Sequence, residues 1–154
     1  MKKARELSQS EWKLPPRIKV LEAAGAIADG RVKKISEKEA KVVSSAGRVR
    51  VYTVKWNGTD AISSDDNGSV YKNYLGYPSI AFLMLEGILP YDAKIGEALK
   101  GIKWKEINDK FKNYFMVEQF AKEVAAKHDV KPEEIDSFVK KVLEKIKMLK
   151  LKKL

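Results

Sequence analysis

Cysteine is missing from all 154 residues. That one absence excludes disulfides, thiol nucleophiles and thiolate metal sites together. Histidine occurs once, at His128. A zinc site would have to be built from carboxylates and that imidazole, a poor supply for a four-coordinate ion. Glutamine is confined to Gln9 and Gln119, while Lys and Glu abound. The balance resembles hyperthermophile usage, where charged residues rise as labile ones fall. No run of about 18 apolar residues occurs, so no membrane-spanning helix is expected. The opening "MKKARELSQSEWK" has the charge of a signal n-region with no apolar h-region behind it, and a cytoplasmic chain is expected. GxGxxG, Walker A, GxSxG and HExxH are all lacking. No cofactor, no metal and no catalytic constellation is expected, so the chain is read as a non-enzyme.

What is present is charge and a core. The apolar fraction is 44%, and the formal net charge is +10. A basic excess of that size favours a polyanionic partner, although a Lys-rich solvated surface produces the same number. The excess is uneven. From Lys140 to Lys153 seven lysines face Glu144 alone, a local net of +6. Residues 61–100 carry five acids (Asp65, Asp66, Glu86, Asp92, Glu97) and three lysines (Lys72, Lys94, Lys100), a net of −2. A polyanion would prefer the ends of the chain and avoid its middle.

The patterning predicts an α+β fold. Residues 1–13 are polar and aperiodic, a tail. Pro15-Pro16 precedes a helix over "RIKVLEAAGAIADG", with Ile18, Leu21 and Ala24 or Gly25 on one face and Gly30 as its stop. "RVKKI", "AKVVSS", "RVRVYTVKW" and "TDAIS" read as strands, giving a three- to four-stranded antiparallel sheet. Asn57-Gly58 and Asn67-Gly68 are two-residue hairpin signals, each needing positive φ at both residues, and a strand is expected after the second. "YPSIAFLMLEG" is a short buried helix and "PYDAKIGEALKG" another, with Asp92 near its start. Trp104, Ile107 and Phe111 form one helical stripe, and Val117, Phe120, Ala121, Val124 and Ala125 form the next, with a break near Asn113–Tyr114. Pro132 opens a last helix whose apolar face runs from Ile135 to Leu149. Four to five helices are thus expected after the sheet. The division is a tail at 1–13, an α+β part at 14–101 and a helical part at 102–154, the last two packed as one unit.

"SSDDNGSVY" at 63–71 is the stretch that most resembles chemistry. It lacks the alternating ligands and terminal Glu of a calcium loop, so it is expected to be a turn. In "RVRVYTVKW", alternation sets Arg48, Arg50, Tyr52, Val54 and Trp56 on one face. That face suits single-stranded nucleic acid if exposed, and a core if Tyr52 and Val54 point inward; the second reading is favoured. Tyr71, Tyr74 and Tyr77, spaced by three, fit a loop or the start of a helix. His128 closes the "AAKH" end of a helix, where it suits the dipole.

"VYTV" at 51–54, "SDD" at 64–66 and "GYPSIAFLML" at 76–85 together resemble the outline of SWIM-type zinc-finger domains over residues 39–86. Ser64 and Asp66 stand where such a finger has its first cysteines, and no Cys or His lies around Gly76–Ser79. The resemblance implies a zinc-free relative that binds DNA or protein, its metal corner replaced by side-chain hydrogen bonds to the loop. No zinc ligand carries over.

The function expected is a basic binding module contacting nucleic acid with little sequence specificity, through Arg48, Arg50, Lys140, Lys141 and Lys145. The alternative is a protein-interaction module whose amphipathic C-terminal helix docks a partner or a second copy.

Overall fold

In the computed structural model, which describes residues 10–45 and 50–154, Pro15-Pro16 leads into helix α1 (Arg17–Ala28). Gly30 ends it at φ +72°, a left-handed conformation open to glycine at little cost, and donates its N–H to the Ile27 carbonyl at 3.0 Å. Four strands follow as an antiparallel meander: β1 (Val32–Ser36), β2 (Glu39–Val43), β3 (Val51–Trp56) and β4 (Ala61–Ser64). Five helices come next: α2 (Tyr77–Leu85), α3 (Ala93–Ala98), α4 (Trp104–Phe111), α5 (Tyr114–Ala126) and α6 (Pro132–Leu149). The α+β class, with a sheet followed by a helical region, is as the patterning predicts.

The sheet differs in its edge. A fifth strand, β5 (Lys152–Lys153), joins β4 in parallel, so the sheet is five-stranded and mixed. The Lys152 N–H donates to the Asp60 carbonyl at 2.8 Å, and Leu151 is buried beside it. The "KLKKL" end is therefore anchored in the sheet. Residues 10–13, the described part of the stretch read as a tail, close the other side; residues 1–9 lie outside the described residues. The Trp12 N–H donates to Leu151 O at 2.9 Å, the Lys153 N–H to Ser10 O at 2.6 Å, and the indole Nε1 of Trp12 to Ile62 O at 2.8 Å. One half-buried indole fixes this segment, and a segment so short shows no periodicity that a sequence reading could detect.

Neither Asn-Gly pair forms the expected two-residue turn. Gly58 has φ +91°, but Asn57 is not left-handed. Its side-chain oxygen instead accepts from the N–H groups of Thr59, Asp60 and Ala61, closing a longer loop. Asn67 is right-handed helical, and the strand expected after Gly68 is a single π-helical turn over Gly68–Lys72. A Cβ at Gly68 would overlap the Tyr74 ring, so this glycine serves close packing rather than a hairpin.

The sheet buries one face through Ala40, Val42, Val54, Trp56 and Ile62, and α2 lies against it. Helix α2 is apolar on nearly all sides and buried from Pro78 to Met84, although Leu85, expected inside, is exposed. Helix α1 is buried all round rather than on one stripe. Its alanines and Gly25 let α2, α3, α5 and α6 approach from several directions, which no single-face reading of the periodicity captures. The break between α4 and α5 falls at left-handed Lys112 and at Asn113, whose side chain caps Met116 N at 3.1 Å. Helix α6 buries Ile135, Phe138, Val139, Val142 and Ile146 against α1 and α5.

Candidate functional site

Beside the adjoining ends of β2 and β3, α1, Ser44, Ser45 and Arg50, the loop after β4 and α4 leave a cleft of about 440 Å³. That volume lies within the range of small-molecule sites. On its α1 side the wall carries a buried ion pair. Lys19 Nζ donates to Glu22 Oε2 at 3.1 Å, with Glu22 only 4% exposed. Burial pushes the Lys19 ammonium down, but the Glu22 carboxylate and the phenols of Tyr74 and Tyr114 outweigh it, and the net shift is upward. The ammonium also lies 5.5 Å from the Tyr114 ring centroid, within reach of a cation–π contact.

Four aromatic residues, Tyr52, Tyr77, Trp104 and Tyr114, also line the cleft. Tyr52 from β3 and Tyr77 from α2 meet edge to face, centroids 6.2 Å apart at 86°. Burial pushes the Tyr77 phenol well above its ordinary value, against the lowering influence of Arg31, so it stays a neutral hydroxyl at physiological pH. The Trp104 indole rests against Gly25 of α1, where a Cβ would stand only 3.0 Å from Nε1. Trp104 Nε1 and Asn108 Oδ1, both on residues lining the cleft, are buried without a hydrogen-bond partner. Buried orphans of this kind are rare and costly, about 1–3 kcal/mol each. Arg50, Lys105 and Lys112 supply positive charge around the same cavity, with Lys105 paired to Asp109 at 3.1 Å.

The acidic loop also reaches this cavity through Asp66, and its structure answers what "SSDDNGSVY" is for. Asp66 is buried and accepts from the Ser64 hydroxyl at 2.5 Å, the Ser69 hydroxyl at 2.8 Å and the Ser69 N–H at 3.2 Å. Ser79 of α2 donates to Ser64 Oγ at 3.0 Å, tying the helix to the end of β4. Gly76 makes the approach possible, since a Cβ there would overlap the Asp66 carboxylate. Asp65 has a separate task, accepting the Thr53 N–H at 2.8 Å. Among the described residues no three His, Cys, Asp or Glu side chains are placed to share a metal ion.

The residues singled out for polyanion contact do not form one surface in the cleft. Arg48 lies outside the described residues. Arg50 is exposed, lines the cleft and donates its N–H to Ser44 Oγ at 3.3 Å. Lys140 and Lys141 are exposed on α6 and Lys145 is half-buried there; none of these three lines the cleft. On β3, Val54 and Trp56 are buried and Tyr52 is half-buried, the core reading of that alternation. Lys19, Glu22, Trp104, Asn108 and Tyr114 were not anticipated. A signal existed for the first pair: two charges spaced i, i+3 inside the otherwise apolar "IKVLEAAGAIA".

Fold and cleft together define a class: an α+β chain with a small mixed sheet, a helix buried all round, and an aromatic, charge-bearing cleft where sheet and helices meet. Within that class, the chain belongs to the family described as "Uncharacterised conserved protein UCP014422", whose model matches residues 12–152. No curated protein and no solved structure matches it.

Proposed function

We propose that the chain is a non-catalytic nucleic-acid-binding module and that this cleft is its principal contact. The observation that carries the reading is the combination at one cavity of Arg50, Lys105 and Lys112 with the rings of Tyr52 and Tyr114. Cations follow a phosphate backbone and rings stack on exposed bases, the pairing that single-stranded nucleic acid requires. A duplex offers only its backbone and groove edges, so a narrow cleft favours a single strand. The Ser64–Asp66–Ser69–Ser79 cluster serves here as the organising corner that zinc provides in SWIM-type fingers. Lys140, Lys141 and Lys145 are a separate basic element on α6. The interaction-module alternative gains nothing from the apolar face of α6, because that face is buried in the chain's own core.

Binding of fluorescent single- and double-stranded oligonucleotides, measured from low to physiological salt, tests this. Counterion release makes affinity fall steeply with salt. Reversing Arg50 and Lys112 to Glu should weaken all sequences and reduce the salt slope by roughly one unit per lost phosphate contact. The Lys140/Lys141/Lys145→Glu variant, tested separately, reports whether α6 adds to the footprint. Absence of binding at low salt refutes the reading.

A further inference from the structure

We propose that the cleft takes a single unpaired guanine base, with Glu22 and Lys19 reading its Watson–Crick edge. The inference rests on the nucleic-acid reading and deepens it. The wall of the cleft on the α1 side is a buried donor–acceptor pair rather than a uniformly basic surface. Glu22 is almost wholly enclosed, and its Oε2 takes the ammonium of Lys19 at 3.1 Å. That is the one side-chain hydrogen bond the carboxylate makes among the described residues, leaving Oε1 uncommitted. The ammonium carries three protons and gives one to Glu22. An acceptor and a donor therefore stand side by side in a cleft that Tyr52, Tyr77, Trp104 and Tyr114 also line.

The chemistry of the bases selects among occupants. A carboxylate needs N–H donors, and an ammonium needs an acceptor beside them. Guanine presents two adjacent N–H donors, at N1 and N2, next to the O6 acceptor. Adenine and cytosine each present one amino group beside a ring nitrogen, and uracil and thymine one N–H between two carbonyls. Guanine alone can engage both carboxylate oxygens while it faces the ammonium. A base that leaves a buried carboxylate unpaired is rejected strongly, because the desolvation cost is not recovered. The rings supply stacking, which is indifferent to base identity, so discrimination falls to the Lys19–Glu22 pair. Arg50 and Lys112 remain for the flanking phosphates.

The test uses the full chain and a set of nine-residue single-stranded oligonucleotides identical except at the centre, which is guanine, hypoxanthine or adenine. Binding is followed by anisotropy at low salt. GMP and AMP are titrated in parallel against tryptophan fluorescence. The guanine oligonucleotide should bind roughly ten- to hundredfold more tightly than the adenine one, with hypoxanthine, which lacks the N2 amino group, between them. Glu22→Gln should remove the guanine preference, so that guanine- and adenine-centred oligonucleotides bind with similar affinity. Should Glu22→Gln fail to fold, the Lys19→Met/Glu22→Leu double variant removes both charges together and should abolish the preference in the same way. The base series on the unaltered chain decides the matter in any case. Equal affinity for all centres overturns the guanine assignment and leaves nucleic-acid binding standing. Preferential GMP binding without oligonucleotide binding upholds the guanine site and overturns the nucleic-acid reading. Silence in both assays overturns both.

Discussion

Replacing Asp66 with alanine should be among the most damaging single changes in the chain. The carboxylate is 6% exposed and accepts from two serine hydroxyls and one backbone N–H. Its removal does not orphan every partner. Ser64 and Ser69 still stand 3.0 Å apart and can satisfy one hydroxyl between them. The Ser69 N–H and the second hydroxyl lose their acceptor in a site with little access to water. Two unsatisfied buried groups at about 1–3 kcal/mol each, with a small void, place the loss at about 3–5 kcal/mol. Asp66→Asn keeps one carbonyl acceptor and presents an NH₂ that only a reoriented serine hydroxyl can accept, and should cost about 1–3 kcal/mol.

Urea unfolding followed by tryptophan fluorescence, with circular dichroism as a second probe, measures both values by linear extrapolation. Coincident transitions would license the two-state treatment. A loss below about 1 kcal/mol for Asp66→Ala would refute the claim that this cluster, rather than the surrounding apolar packing, organises the corner. The same melts with and without a chelator test the other half of the argument. If hydrogen bonds organise the corner, a chelator leaves Tm unchanged, and a large drop means that a metal does the organising.

Leu83 is fully buried on α2, so Leu83→Ala should cost about 2–5 kcal/mol in the same assay, and a loss below about 1 kcal/mol would contradict its burial. Burial pushes the Glu118 carboxyl up, but hydrogen bonds from Arg17 and Lys122 outweigh it and hold it below its ordinary value; Lys122 and Arg17 likewise hold Asp136 down. Folded values below the unfolded ones mean stability that is complete above about pH 5 and is lost as pH falls through about 4 and below, so thermal melts should decline there and Glu118→Gln should flatten the decline. Deleting residues 151–154 removes buried Leu151 and the β5 pairing with Asp60 and Ile62, and should lower Tm by several degrees, roughly as 1–3 kcal/mol would in a chain of this size. An unchanged Tm would show that the strand adds nothing.

The elements legible in the sequence were those whose residues report on their own surroundings. Helix α6 reads as a helix because Ile135, Phe138, Val139, Val142 and Ile146 recur at its period and all point one way. Asp92 caps α3 through Ile95 N at 3.1 Å, a local event that a local signal announces. The misreadings fall where a residue's partner is distant in sequence. Asn67-Gly68 has the letters of a hairpin, but the glycine is there to accommodate Tyr74 and the loop to carry Asp66 beneath Gly76. β5 is two residues long and pairs with a strand some ninety positions earlier, so no propensity could reveal it.

The cleft was hidden for a related reason. Its pieces come from α1, β3, α2 and α4, and none is a motif alone. Lys19 and Glu22 would be unremarked on an exposed helix, where an i, i+3 pair is worth a few tenths of a kcal/mol. Their significance arises because α1 is enclosed on every side. An enclosed helix built for packing alone has reason to be apolar throughout, since a buried ion pair rarely repays its desolvation against hydrophobic residues of the same size. α1 meets that expectation from Val20 to Ala26 except at Glu22, whose carboxylate opens onto the cavity with its partner Lys19. Restoring the helix to the apolar form therefore separates the two explanations. Lys19→Met/Glu22→Leu should leave the melting temperature near or above that of the unaltered chain. It should also remove the base preference, the outcome that assigns the pair to recognition rather than to the fold.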